Sequence, residues 1–436
     1  MKINFIILSF VVVHFALSQE LDVVHVPIGI NSEPANAPVK LELIHRKQMY
    51  NTRPDSAADV YDGRVHSPKS AIFNALSHKL YINALEGYVT LVYNDSTFKF
   101  INRIDHKFQA DDSSLFNNES TVFDYKYAYR KDSFNIFSGK PVESCLSHNG
   151  KYLWVTYYRR SYDANAISPS AVAIIDTETD KIVRVMPSGP LPKMIAASPD
   201  NKYIAVTHWG DNTIGIIDIQ SDTVSQFRYI KQFIVGYKQT FDFEPGEKID
   251  RDNDCGYCLR GTVFTPDNKY LLVSRMGGGG IAIFDMVNLK YLGTVFGMKS
   301  NLRHIVINND DIYISSNLTG FVQKAKLQDV IENKLKNPGK DTQFTDWQSC
   351  YTGGVGARTI CVSSDGRYIF VAVNNDSKIA VIDSQTMRLI SNISCDSYPV
   401  GMALSHNDRT LVVTSQGKRG QGGHSVMMFN IEYVDK

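Results

Sequence analysis

A chain of 436 residues sets 46 Lys and Arg against 45 Asp and Glu, a formal net charge of +1. That balance removes any bulk pull toward nucleic acid or anionic lipid, so neither is an expected partner. The length is ample for one large repeat domain with loops.

The first twenty residues, MKINFIILSFVVVHFALSQE, hold one lysine, then an apolar run too short to span comfortably, then ALS before Gln19. This pattern predicts a signal peptide over 1–18 and a secreted or periplasmic protein. No cysteine follows the small residues, so no lipid anchor is expected. No later apolar stretch could span, so the mature chain is expected to have no membrane span. Residues 19–70 form a polar leader with scattered prolines. Within it VKLELIHRKQMY, 39–50, is strand-like and spare.

From residue 71 to 436 one pattern recurs. SPDNKYIAVTHWGDNTIGIID at 198–218 is a polar turn, an apolar strand, a second turn and a second apolar strand. Close copies are SHNGKYLWVTYYRRSYDANAISPSAVAIID from Ser147, TPDNKYLLVSRMGGGGIAIFD from Thr265 and SSDGRYIFVAVNNDSKIAVID from Ser363. Weaker copies start at Leu76, Asn308 and Ser405. That makes about seven, roughly forty to seventy residues apart, the spacing of blade repeats. PDN, HNG and SDG tolerate left-handed backbone. KYIAVT and TIGIID are β-branched and apolar at strand length. A short apolar run precedes each turn (KMIAAS, RTICVS), and a more polar strand follows each IID-like strand (DKIVRVM, MRLISNIS). Four antiparallel strands per copy make a blade, and blades bury their faces by radial closure. Four strands per repeat favours this over a solenoid or paired sandwiches. The expected fold is an all-β, seven-bladed β-propeller. The last copy lacks a fourth strand, which 39–50 is expected to supply.

The units resemble the YVTN-type β-propeller repeats, most closely at SDGRYIFVAVNNDSKIAVID and PDNKYIAVTHWGDNTIGIID. The resemblance covers most of the chain after about Ser70. It implies exported or surface proteins. Relatives with similar blades include lactonases, nucleic-acid binders and heavy subunits of cofactor dehydrogenases, among which fold does not choose.

Three insertions interrupt the copies. Residues 105–140 are aromatic and charged. Residues 231–257 contain FDFEPGEKIDRDNDCGYC. Residues 327–338 look helical and stop at Pro338. The first two join an outer strand to the next inner strand, which places them on the mouth face, where they are expected to restrict access. Six cysteines in an exported chain suggest pairing. Cys145 and Cys361 share an inner-strand register and read as small buried hydrophobes. Cys350 and Cys395 fall in connections between blades. Cys255 and Cys258 read as a local structural disulfide or as parts of two bridges, rather than a redox pair or half a zinc site. DRDND, 250–254, starts like a calcium loop, but the sixth and twelfth loop positions hold Cys255 and Gly261, so a solvated acidic loop is expected. No cofactor and no metal are expected.

Aligned on their turns, the copies place Lys193, Arg260, Arg303 and Arg358 at one position of the inner strand. Val142 and Val400 hold it in two others, and the first copy is ambiguous near Lys69. The loops after the second strands bring His208, Trp209, Arg275, Asn317, Asn374, Gln416 and 157–160 toward the same mouth. A funnel lined by guanidinium groups suits carboxylate, phosphate or sulfate. The competing arrangement pairs each base with an acid of a neighbouring blade. The leading expectation is a monomeric binding propeller for an anionic small molecule or protein segment. Two alternatives stand beside it. One is a lactonase-like hydrolase of an acidic sugar derivative, with His208 or His304 as base and Arg260, Arg303 and Arg358 on the anion. The other is a propeller subunit of a redox complex. Catalysis is left open.

Overall fold

The structure, a computed structural model, describes residues 24–116, 123, 135–240, 247–417 and 423–434. The signal-peptide expectation over 1–18 lies outside these residues, as does much of the first insertion. Among the described residues no helix is long and apolar enough to cross a membrane.

Seven sheets form the propeller, each a mostly four-stranded antiparallel blade. Blade 3 shows the plan: Pro192–Ala197, Tyr203–His208, Thr213–Asp218 and Arg228–Ile234, from channel to rim. The innermost strands of the other blades are, in chain order, Pro68–Asn74, Gly139–Ser147, Leu259–Phe264, Leu302–Asn308, Ala357–Val362 and Pro399–Leu404. Blade 7 is completed by Val39–Gln48, antiparallel to Ser425–Tyr433, with Val39 opposite Tyr433 and Gln48 opposite Ser425. Both ends of the described chain therefore meet in one sheet, and closure covers the edges that an open ring would expose. The one α-helix among the described residues, Leu327–Leu335, sits within blade 5 before its outer strand.

The turns between first and second strands explain why these residues fold here. Asn201, Asn268, Gly366 and Asp408 take positive φ of 56°, 61°, 73° and 57°. Only Gly and short amide or carboxylate side chains do so at low cost. A hydroxyl locks each turn: Ser198, Thr265, Ser363 and Ser405 accept the backbone N–H of the residue five positions on, at 2.9–3.0 Å. The strands then alternate. Ile204 and Val206 pack toward Trp154 and Ile174 of blade 2, while Ala205 packs toward Leu271 and Val273 of blade 4. Both faces are buried, so no single core exists; apolar layers lie between successive blades.

Cys255 and Cys258 form a disulfide, and Cys145, Cys350, Cys361 and Cys395 are free. Cys350 lies within the outer strand of blade 5, Gln348–Tyr351, rather than in a connection.

Candidate functional site

Each innermost strand carries a β-bulge near its start. In blade 3, Pro192 pairs with His208 and Met194 with Thr207, leaving Lys193 as the extra residue. The same break isolates Lys69, Arg303 and Val400, and it falls across Arg260–Gly261, Arg358–Thr359 and Val142–Glu143. A bulge re-aims the side chain of its extra residue. Seven equivalent bulges turn one residue per blade toward the axis. Lys69 is thereby assigned to the register that the sequence left ambiguous.

Five bases, Lys69, Lys193, Arg260, Arg303 and Arg358, thus gather around the channel with Glu143. A vestibule of about 260 Å³ is lined by Lys69, Lys193, Arg260 and Arg303, with Glu86, Tyr158 and Arg159 at its wall. A deeper chamber of about 150 Å³ shares Arg260 and Arg303 and adds Glu143, His304, Ser70, Ser144 and Thr359. Arg260 and Arg303 stand between the two spaces.

The bases differ in their partners. Lys193 donates to Asp252 at 2.9 Å and lies 3.8 Å from the centre of the Trp209 ring. Arg260 pairs with Glu143 from blade 2 at 2.5 Å and donates to the Lys193 carbonyl. Among the described residues Arg303 hydrogen-bonds only the Met276 sulfur, at 3.4 Å, and its Nε has no partner. Arg358 is hydrogen-bonded to Tyr398, whose ring centre lies 5.9 Å away, with no carboxylate in bonding range among the described residues. Pairing with neighbouring acids thus accounts for two of the four predicted bases and not for Arg303 or Arg358.

Burial is the largest influence on Lys69, Lys193, Arg303 and Arg358. Burial, then Arg358 and Arg260, press the Arg303 guanidinium well below its ordinary range. Burial brings Arg358 down to about 10. Lys193 falls to about 7, burial outweighing the opposing pull of Asp252. Burial followed by Arg358, Arg260 and Arg303 puts the Lys69 amine well below the usual lysine value. Burial would raise the Asp252 carboxyl, but Lys193 and Tyr158 outweigh it and hold it low.

Several predicted site residues lie elsewhere. His208 is fully buried inside blade 3. Its Nε2 meets the Ser188 hydroxyl and the Gly189 N–H, and its Nδ1 meets Thr213 at 2.7 Å. Burial holds it neutral, down to about 3. It ties the blade together and cannot serve as a base at the mouth. Arg275 donates to Thr294 at 2.9 Å and stacks on Tyr257 at 3.7 Å, within blade 4 and its covering loop. Asn317 reaches the Ala357 carbonyl at 3.4 Å, and Asn374 is buried beside Gly356; neither lines the vestibule or the chamber. Trp209 is nearly buried and donates to the Asp252 carbonyl at 3.1 Å, so it supports Lys193 instead of offering an open stacking face. His304 does line the chamber. Its Nδ1 accepts the Ile360 N–H at 3.3 Å, which leaves the proton on Nε2. His304 is therefore placed to donate, not to act as the base.

The two large insertions also part ways. The second brings Asp252 to the vestibule. In the first, the described residues Ala110–Phe116 pack on the outer strand of blade 2, and Phe123 packs on Tyr229 at 4.5 Å near the rim of blade 3. None of its described residues lines the vestibule. Asp252 and Glu143 become partners of these bases only in the folded ring. Among the described residues no group of three His, Cys, Asp or Glu could hold a metal ion.

Residues 145–420 match the family described as Lactonase, 7-bladed beta-propeller, well over half of the chain, and the chain belongs to that family. The seven-bladed propeller implied by the YVTN-type resemblance is what forms, and the family shown is the lactonase type. Antigen Lp49 of Leptospira interrogans serogroup Icterohaemorrhagiae serovar copenhageni (strain Fiocruz L1-130) is 21% identical over 288 residues. That match spans 55% of this chain and 59% of the relative's length. Two solved structures share the fold alone. Hydrazine synthase of Kuenenia stuttgartiensis is 13% identical at a TM-score of 0.53, over 80% of this chain and 93% of that one. The Cps50 (Swd1) β-propeller domain of Myceliophteria thermophila is 10% identical at 0.57, over 88% and 99%.

Proposed function

We propose that this protein is an exported propeller that captures a small anionic molecule, by its carboxylate or phosphate, in the basic vestibule. The observation that carries this reading is Arg303, half-buried in the vestibule wall, with Arg358 buried beside it at the channel, neither with a carboxylate partner among the described residues. Unpaired buried cations raise the free energy of the empty protein, and a bound anion relieves them. A volume of about 260 Å³ suits a small molecule better than a folded protein segment. Export rests on the 1–18 pattern, with the Cys255–Cys258 disulfide in keeping with an oxidising compartment. The test is a melting-temperature screen of phosphate, sulfate, sugar acids and their lactones in low-chloride buffer. Protection by one or more anions, weakening as chloride rises, is expected. A flat response across all of them would remove the reading.

The family and the deeper chamber favour a second reading, hydrolysis of an anionic lactone. Glu143 would activate water, Arg260 and Arg303 would polarise the carbonyl oxygen, and the His304 Nε2–H would donate. Turnover lost in Glu143→Gln while anion protection persists would select it. Protection without turnover selects the binding role.

A further inference from the structure

The vestibule holds a group that anion capture does not use. Lys69 is set by its bulge into the wall of the vestibule, beside Arg260 and Arg303. The bulge is pinned by Thr414, whose hydroxyl donates to the Lys69 carbonyl at 3.1 Å. Among the described residues its amine has no hydrogen bond and no ion pair within bonding distance. Lys193, the other lysine of the ring, differs. It is committed to Asp252 at 2.9 Å and covered by Trp209 and Tyr158.

We propose that Lys69 is a nucleophilic amine that forms an imine with small anionic carbonyl compounds, the 2-oxo acids, whose carboxylate is held by Arg303 and Arg260 of the same vestibule wall. This rests on the anion-binding reading and extends it. The surroundings favour the neutral amine. Burial and three guanidinium groups, Arg358, Arg260 and Arg303, disfavour its protonation, and only Glu143 opposes them. A desolvated lysine near other cations is a recognised way to make the amine nucleophilic. The arginines carry the other half of the chemistry, because they bring the carbonyl carbon to the amine by gripping the adjoining carboxylate. The step balances without a co-reactant. The amine lone pair forms the C–N bond, the carbonyl oxygen leaves as water with the two amine protons, and C=N replaces C=O. No atom is oxidised or reduced.

The experiment incubates the full chain at pH 7 with pyruvate and cyanoborohydride, which reduces the imine to a stable carboxyethyl adduct, and maps the modified peptide. The expected result is an adduct on Lys69 forming at least about tenfold faster than on exposed lysines, which titrate near 10.4 and are almost wholly protonated at that pH. Sulfate should block it, and Lys69→Arg should lack it. The wild-type map stands even if that variant fails to fold. An adduct on Lys193, an even spread over surface lysines, or no adduct overturns the proposal. If sulfate still raises the melting temperature in those cases, anion capture survives the loss. If none of the anions in the melting-temperature screen gives protection, both readings fail together.

Discussion

Replacing Arg358 by Met should stabilise the empty protein, although it removes a buried, well-placed side chain. Burial brings Arg358 well below the ordinary arginine range, down to about 10. At roughly 1.4 kcal/mol per pH unit, this is about 3 kcal/mol against the charged form in the folded state. The sign follows from linkage. At pH 7 the group is protonated in both states, so the whole penalty weighs on the native protein. Met keeps the length and loses the charge, and the Tyr398 contact goes with it, so a gain of about 1–3 kcal/mol is expected. Arg303→Met should behave alike, since its guanidinium is also unpaired by any carboxylate. Arg260→Met should do the opposite. It leaves Glu143, 18% exposed and lining the chamber, without its partner, at a cost of about 2–4 kcal/mol. With an unfolding entropy of about 2.1 cal/mol/K per residue over roughly 400 residues, each kcal/mol moves the melting temperature by about 1 °C. Calorimetry in low-chloride buffer should therefore separate Arg358→Met, up by about 1–3 °C, from Arg260→Met, down by about 2–4 °C. An anion at a hundredfold its Kd adds about 2.7 kcal/mol to the wild type and nothing to the Arg303→Met, Arg358→Met double variant. If all three single variants lose stability alike, or the double variant keeps the anion response, these cations are structural and the argument fails.

Lys193 carries a pH signature. The unfolded chain keeps its proton to about pH 10, whereas the folded protein releases it near pH 7, so stability should rise by about 1–2 kcal/mol from pH 7 to about 8.5. Urea midpoints across that range check it, and Lys193→Met should flatten the slope; a midpoint that falls over the same range contradicts the assignment. His208→Ala should cost about 2–4 kcal/mol, because it removes a buried ring and the partner of the Ser188 hydroxyl and the Gly189 N–H, yet leave the anion response intact. Loss of that response with stability unchanged would return His208 to the mouth. Deleting 39–48 should open blade 7 along Ser425–Tyr433 and drive aggregation, seen as loss of the monomer peak in size-exclusion chromatography. A soluble deletion variant with an unchanged melt would show that closure does not depend on this strand.

The fold was legible in the sequence because its determinants are local. A left-handed turn at Asn201 or Gly366 is specified within four residues, and the alternation of Ile204, Ala205 and Val206 within three. Even the spare strand at 39–50 could be recognised, since a blade one strand short must find it. The basic register was legible for the same reason: one position per repeat, counted from the turn. What that register meets was decided only by ring closure. Glu143 reaches Arg260 across 117 residues, Asp252 reaches Lys193 across 59, and nothing near either base announces its partner. His208 failed as a mouth residue because the end of a second strand can point along the channel or into the blade, and Ser188 and Thr213 draw it inward. The electrostatics of Lys69, Arg303 and Arg358 belong to the assembled ring alone. Each is an ordinary base in its own blade and becomes a destabilised one only where seven strands bring the others beside it and exclude the water that would screen them.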